Sequence, residues 1–222
     1  MRPRPRRAAV RVLRVVMIEG QAVLDAPALE EILAALRGGG LIVYPTDTLY
    51  ALGANPFDAD AMRRLFAAKR RPEGQPVSVV VASVDAAKQL AVIPPQAESR
   101  CRAWLPGPLT LLFRPTADAP RAIVSAEDAV AIRVPDHPVA LALAKQFGPI
   151  TATSANVHGK SAPVTCGEAS AQLGGAVDLY VDAGPCPAGR ESTVVDFTGP
   201  EPRVIREGAV SADRLGIERR NR

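Results

Sequence analysis

Apolar residues recur along this chain at two spacings, and the change from one to the other divides it into elements. Leu29, Ile32, Leu33 and Leu36 fall at i, i+3, i+4 and i+7, which predicts an amphipathic helix over 27–37. Asp25 stands as its cap, Pro27 sits in its first turn, and Gly38-Gly39-Gly40 ends it. Leu41 to Tyr44 is a short, partly β-branched run and predicts a buried strand. Pro45 has no N–H to give a sheet, so pairing should stop there, and the polar turn Thr46-Asp47-Thr48 follows. Asp58 caps a second predicted helix with Met62, Leu65 and Phe66 on its apolar face, running to about Lys69. Pro72 and Gly74 mark a loop, Val77 to Val81 a strand, and 84–91 and 95–104 two helical stretches. Trp104-Leu105-Pro106-Gly107-Pro108 is a rigid corner before a strand at Leu109 to Phe113.

In the second half, Val130, Ile132 and Val134 alternate onto one strand face and leave Arg133 on the other. Pro138 opens a helix to Phe147 that Gly148 closes. Ile150 to Thr153 predicts a strand that delivers Ser154-Ala155-Asn156, followed by a flexible loop from Val157 to Pro163. Val177 to Asp182, Thr193 to Phe197 and Arg203 to Arg206 predict strands, the last two a hairpin through Thr198-Gly199-Pro200, and 212–217 a short helix. The pattern is that of one α/β domain with a mixed sheet, because several connections are too short for parallel crossovers.

Composition narrows the class. With 222 residues, 47% hydrophobic and 23% charged, the chain can bury one substantial core or two small ones. No apolar run approaches the ~20 residues of a membrane span. The net charge of +4 is unevenly placed: residues 1–16 hold six arginines and no acid, leaving 21 bases against 23 acids from Met17 onward. Residues 1–16 are therefore read as a basic extension, disordered or preceding a true start at Met17, with a nucleic-acid-binding arm or transit peptide as alternatives. The domain is expected over 17–217, with a polar tail at 218–222. Cys101, Cys166 and Cys186 form no C-x-x-C pair, which argues for a reducing, cytoplasmic setting and against structural zinc. With only His137 and His158, metal-ligand and Ser-His-Asp chemistry have little material.

Candidate chemistry lies where strands end. Thr46-Asp47-Thr48 leaves the carboxyl end of a strand, the place where open α/β sheets bind ligands. Lys69-Arg70-Arg71 puts dense positive charge on the same unit, which suggests a phosphate; the plain structural alternatives are a capped turn and a solvated helix end. Ser154 and Asn156 form a second polar turn after a strand. Arg133, inside an apolar pattern, must find an anionic partner or reach solvent, and a carboxylate clamp suits it. Neither G-x-x-x-x-G-K-[ST] nor G-x-G-x-x-G occurs, so phosphate binding would have to come from side chains.

Six segments occur in a familiar order: Tyr44-Pro45-Thr46-Asp47-Thr48-Leu49-Tyr50-Ala51-Leu52-Gly53, Lys69-x-Arg71-Pro72, Trp104-x-Pro106-Gly107-Pro108-Leu109-Thr110, Arg133-x-Pro135, Ser154-Ala155-Asn156 and Glu191-Ser192-Thr193-Val194-Val195. Over roughly residues 20–215 the chain resembles the YrdC/TsaC-like threonylcarbamoyl-adenylate synthases. The resemblance implies a single YrdC-like domain with a twisted mixed sheet, flanking helices and a concave ligand-binding face. It implies synthesis of threonylcarbamoyl-AMP and pyrophosphate from L-threonine, bicarbonate and ATP, with Mg²⁺ accompanying ATP. The product would pass to a threonylcarbamoyl transferase complex that modifies tRNA. By that likeness, Lys69, Arg71, Ser154 and Asn156 would be catalytic and, with Gln75 and Arg206, bind ATP. Thr48, Arg133 and Ser192 would hold threonine. Ala51, Gln75 and Val80 depart from residues common in the family at those positions. The alternative is a non-catalytic module of the same fold that binds double-stranded RNA or tRNA.

Overall fold

The computed structural model describes residues 10–19, 21–72, 75 and 77–217. The chain opens with three short strands, β1 (Val12–Arg14), β2 (Val16–Ile18) and β3 (Gln21–Val23), and then α1 (Ala26–Arg37). β4 (Ile42–Tyr44), β5 (Ala51–Gly53) and α2 (Ala59–Lys69) follow, then β6 (Val79–Val80), α3 (Val84–Ala87), β7 (Ala91–Val92), α4 (Pro95–Trp104) and β8 (Leu109–Pro115). The second half adds β9 (Val130–Arg133), α5 (Pro138–Phe147), β10 (Ile150–Thr151), β11 (Thr153–Ser154) and α6 (Cys166–Leu173). β12 (Leu179–Asp182), β13 (Thr193–Asp196), β14 (Arg203–Arg206) and α7 (Ala212–Leu215) complete it.

The mixed α/β character expected from the pattern holds, but the strands divide between two mixed sheets. The first runs β1-β12-β4-β5-β11 and the second β10-β6-β9-β8-β13-β14, with β7 on β8. The two meet where β10 and β11 are separated by Ala152 alone. β10 pairs with β6 in the second sheet and β11 with β5 in the first. Thr151 stitches the corner: its hydroxyl accepts from the Ala54 amide at 2.8 Å and donates to the Leu52 carbonyl at 3.1 Å. The Ala152 amide donates to the Ser78 carbonyl, and Ser78 Oγ donates back to the Ala152 carbonyl. Reading 150–153 as one continuous strand hides this switch, because the Thr151 side chain takes the place of a ladder partner.

β4 is buried on both faces, as its unbroken apolar run requires. Ile42 and Tyr44 pack with α1 and α5 through Ile32, Leu36, Val139 and Leu143. Leu41 and Val43 point to a larger core that includes Leu65, Leu111, Ile132 and Tyr180. The helix ends follow capping chemistry: Asp25 accepts from the Ala28 amide, and Asp58 from those of Asp60 and Ala61.

Three expectations change. The helix read over 84–91 stops at Ala87, and Ala91–Val92 instead pairs with β8. α6 was not anticipated, although Thr165 and Glu168 form a complete capping box before it. Residues 12–14, placed in the N-terminal extension, pair in parallel with β12, and Val15 is buried, so ordered sheet begins ahead of Met17. The arginines Arg2, Arg4, Arg6 and Arg7 and the tail at 218–222 lie outside the described residues.

Gly53 sits where β4, β5 and β10 crowd together. A Cβ there would meet Tyr44 Cε1 at 2.8 Å and Ile150 and Ile42 carbons at 3.0 Å. Gly53→Ala should cost about 1–3 kcal/mol by overpacking, read as a lowered urea midpoint at unchanged slope.

Candidate functional site

A cleft of about 590 Å³ is lined by strands of both sheets, through Ala51 and Ser154 in the first and Thr110, Leu112, Ala131 and Val194 in the second. Thr48, Lys69, Arg71, Arg133, Ser154, Asn156, Ser192 and Arg206 all line it. Eight of the nine residues singled out from sequence thus reach one depression. Gln75, expected to bind ATP, does not line it; its amide oxygen instead accepts from Arg71 Nε.

The first wall is the turn after β4. Thr46 orders it through one hydroxyl, which donates to the Leu49 carbonyl at 2.7 Å and accepts from the Thr48 and Leu49 amides. β5 then pairs Ala51 with Ser154, and the Tyr50 carbonyl accepts from the Ala155 amide. That pairing sets the two polar turns side by side. Asn156 Nδ2 donates to the Val157 and Lys160 carbonyls, while its buried Oδ1 has no hydrogen-bond partner.

α2 supplies the cations. Arg70 adopts the left-handed conformation at φ 51°, and its amide and that of Arg71 close the helix on Ala67 and Phe66. Lys69 is left buried, with Nζ donating to the Ser154 carbonyl and, at 2.9 Å, to the Asn156 carbonyl. Both partners are neutral, so no opposing charge stands against the loss of hydration, and burial followed by the nearby Arg71 charge lowers the Lys69 pKa to about 8. Burial also lowers Arg71.

β9 delivers Arg133 to the other wall. Its alternation holds: Val130 and Ile132 enter the core and Arg133 faces the cleft, yet it is only 6% exposed. It forms an ion pair with Asp47 at 2.5 Å and donates to Thr48 Oγ1 at 2.6 Å. Burial pushes the Asp47 carboxyl upward and the Arg133 charge pulls it back. Across the cleft, the Ser192 and Thr110 hydroxyls share a 2.7 Å hydrogen bond. Arg206 pairs with Glu191 at 2.9 Å and donates to the Ser192 carbonyl at 3.0 Å. Gly208 allows this approach, since a Cβ there would meet the Glu191 carbonyl at 2.3 Å.

Sequence reasoning did not assign Thr110, His158, Lys160 or Glu191 to the site, yet each lines the cleft. Thr110 and Glu191 belong to the quoted motifs, so their proximity to assigned residues was the available signal. Among the described residues, no group of three or more His, Cys, Asp or Glu side chains is placed to hold a metal. No helix among them is long and apolar enough to cross a membrane.

Fold and cleft together define a mixed α/β protein with a cleft lined by Lys69, Arg71, Arg133 and Arg206. The chain belongs to the Sua5/YciO/YrdC family, whose model, described as "Telomere recombination", matches residues 34–208. A Mycobacterium tuberculosis protein is 40% identical over 184 residues, spanning 82% of this chain and 85% of that one. The threonylcarbamoyl-AMP synthase of Pyrococcus abyssi is 37% identical over 182 residues, spanning 81% of this chain and 54% of that protein. The crystal structure of P. abyssi Sua5 complexed with L-threonine superposes with a TM-score of 0.86 at 33% identity, over 94% of this chain and 62% of that one. Escherichia coli YciO gives a TM-score of 0.83 at 25% identity, over 93% and 99%.

With burial lowering the Lys69 pKa to about 8, affinity for inorganic pyrophosphate should fall as pH rises through that region and the ammonium loses its proton. Calorimetric titrations from pH 7 to about 9.5 should show the decline, and Lys69→Ala should bind weakly with no step near pH 8.

Proposed function

We propose that this protein is an L-threonylcarbamoyladenylate synthase, converting L-threonine, bicarbonate and ATP to threonylcarbamoyl-AMP, pyrophosphate and water. The observation that carries this reading is the convergence of Lys69, Arg71, Ser154 and Asn156 with Thr48, Arg133 and Ser192 on one cleft. The names of the relatives and the L-threonine bound to the P. abyssi protein support it.

The neutral amine of threonine adds to the carbon of bicarbonate, with loss of water, and forms a carbamate. A carbamate oxygen then attacks the α-phosphorus of ATP, the α–β bridging bond breaks, and pyrophosphate leaves. No protein nucleophile is required; the work is positioning and charge neutralisation. Lys69 and Arg71 hold the triphosphate and stabilise the departing charge, with Gln75 holding Arg71 in place. Arg206 reaches the nucleotide once it leaves Glu191. Arg133 takes the threonine carboxylate, flanked by the Thr48 and Ser192 hydroxyls. Mg²⁺ arriving with ATP would neutralise phosphate charge, and the Ser154 hydroxyl with the unpartnered Asn156 Oδ1 is a hard-oxygen donor set that fits it. The product then passes to a threonylcarbamoyl transferase complex acting on tRNA in the cytoplasm.

The double-stranded RNA alternative rests on the concave face that the family resemblance implies and on the arginine-rich extension, and the synthase names of the relatives favour the enzyme over it. Purified protein should release pyrophosphate from ATP only when threonine and bicarbonate are both present; release without either, or none with both, would refute the assignment. Lys69→Ala and Arg71→Ala should each lower turnover at least about tenfold, a loss of about 1.4 kcal/mol of transition-state stabilisation.

A further inference from the structure

Asp47 is the middle residue of the first polar turn. Thr46 and Thr48 line the cleft, whereas Asp47 does not; it is buried behind Arg133. One carboxylate oxygen, Oδ1, holds Arg133 Nη2, while Thr48 Oγ1 accepts from Nη1. The other oxygen, Asp47 Oδ2, meets no nitrogen of the guanidinium; the backbone N–H groups of Asp47 and Asp136 face the carboxylate instead, and Arg133 Nε has no hydrogen-bond partner. Arginine–carboxylate pairs are frequently a two-pronged fork, in which both carboxylate oxygens meet two parallel N–H groups. Here the contact is single. Two acceptors on neighbouring residues of one turn each take a different nitrogen of the guanidinium, which fixes its plane. Donor capacity is left over on the arginine.

The backbone makes this support stiff. The Asp47 carbonyl accepts from the Ala188 amide at 3.1 Å, and Thr46 ties the turn internally. Removing the carboxylate would leave Arg133 with a hydroxyl as its remaining named partner, in a site where it is only 6% exposed.

We propose that Asp47 is a positioning residue that orients the Arg133 guanidinium toward the carboxylate of the amino-acid substrate, and so sets the preference for a free carboxylate. This rests on the synthase reading for the identity of that substrate. Asp47 touches no substrate atom; it acts through Arg133. Its negative charge also offsets the arginine's, so recognition leans on the direction of the donors more than on net attraction.

The test compares L-threonine with L-threonine amide, whose carboxylate is replaced by a neutral group, in wild type, Asp47→Asn and Asp47→Ala. Binding is measured by calorimetry and turnover by pyrophosphate release. Asp47→Asn keeps the shape and one acceptor while removing the charge. It should raise the KM for threonine about tenfold with kcat changed far less, and shrink the threonine-to-amide ratio by a similar factor. Asp47→Ala should shrink the ratio further, and ATP affinity without threonine should stay at the wild-type value in both. The proposal is overturned if both ligands weaken together so that the ratio is preserved, the outcome of a merely structural role, or if either variant binds threonine as wild type does. A wild type that binds threonine but releases no pyrophosphate overturns the synthase reading alone, and the binding ratio still decides the role of Asp47.

Discussion

Everything in the cleft depends on the corner at Thr151 and Ala152, where the chain passes from one sheet to the other in a single residue. A side-chain hydroxyl there stands in for the backbone partner that neither sheet supplies. Because Thr151 is wholly buried and bonded to Leu52 and Ala54, the two sheets cannot pivot about that point without breaking buried hydrogen bonds. The next residues forward are Ser154 and Asn156; across β5 lies the turn of Thr46 to Thr48. β9, which carries Arg133, lies beside β6 in the second sheet, and β6 pairs with β10 at the same corner. The corner therefore fixes the distance between groups that belong to different sheets.

The cleft is costly ground. Lys69 is 3% exposed and held by carbonyls alone, and Arg133 is buried against the Asp47 carboxylate with its Nε left without a hydrogen-bond partner. Neither arrangement is what stability alone would select. The cost is offset by two apolar clusters packed on either side of the first sheet. Polar groups left partly unsatisfied in a well-packed frame are what a ligand with complementary charge can complete.

Much of this was legible in the residues, and the limits have physical causes. α1, α2 and α5 were readable because capping side chains, prolines and apolar spacing are local signals. Arg133 was readable from alternation, since only one strand face could take Val130 and Ile132. Its partner was not: Asp47 is 86 positions away, and no local rule couples a strand residue to a turn at that separation. The partners of Lys69 were invisible for another reason, being backbone carbonyls that every residue carries. β5 was hidden because Ala51-Leu52-Gly53 lacks β-branched residues, and its pairing with β4 and β11 outweighs weak propensity. α6 had a signal, the Thr165–Glu168 box, that apolar periodicity did not raise above its loop-like surroundings.

The position of β12 carries a kinetic consequence. It lies between β1 and β4, so residues 179–182 join residues 12–14 to residues 42–44. In a chain of 222 residues made from its amino end, the first sheet must wait for most of synthesis before its central partner exists. Loop closure across such separations is slow, and β1 and β4 stay unzipped in the interval. Early contacts must instead come from local pairs such as β4 with β5, leaving the ligand pocket among the last features to assemble.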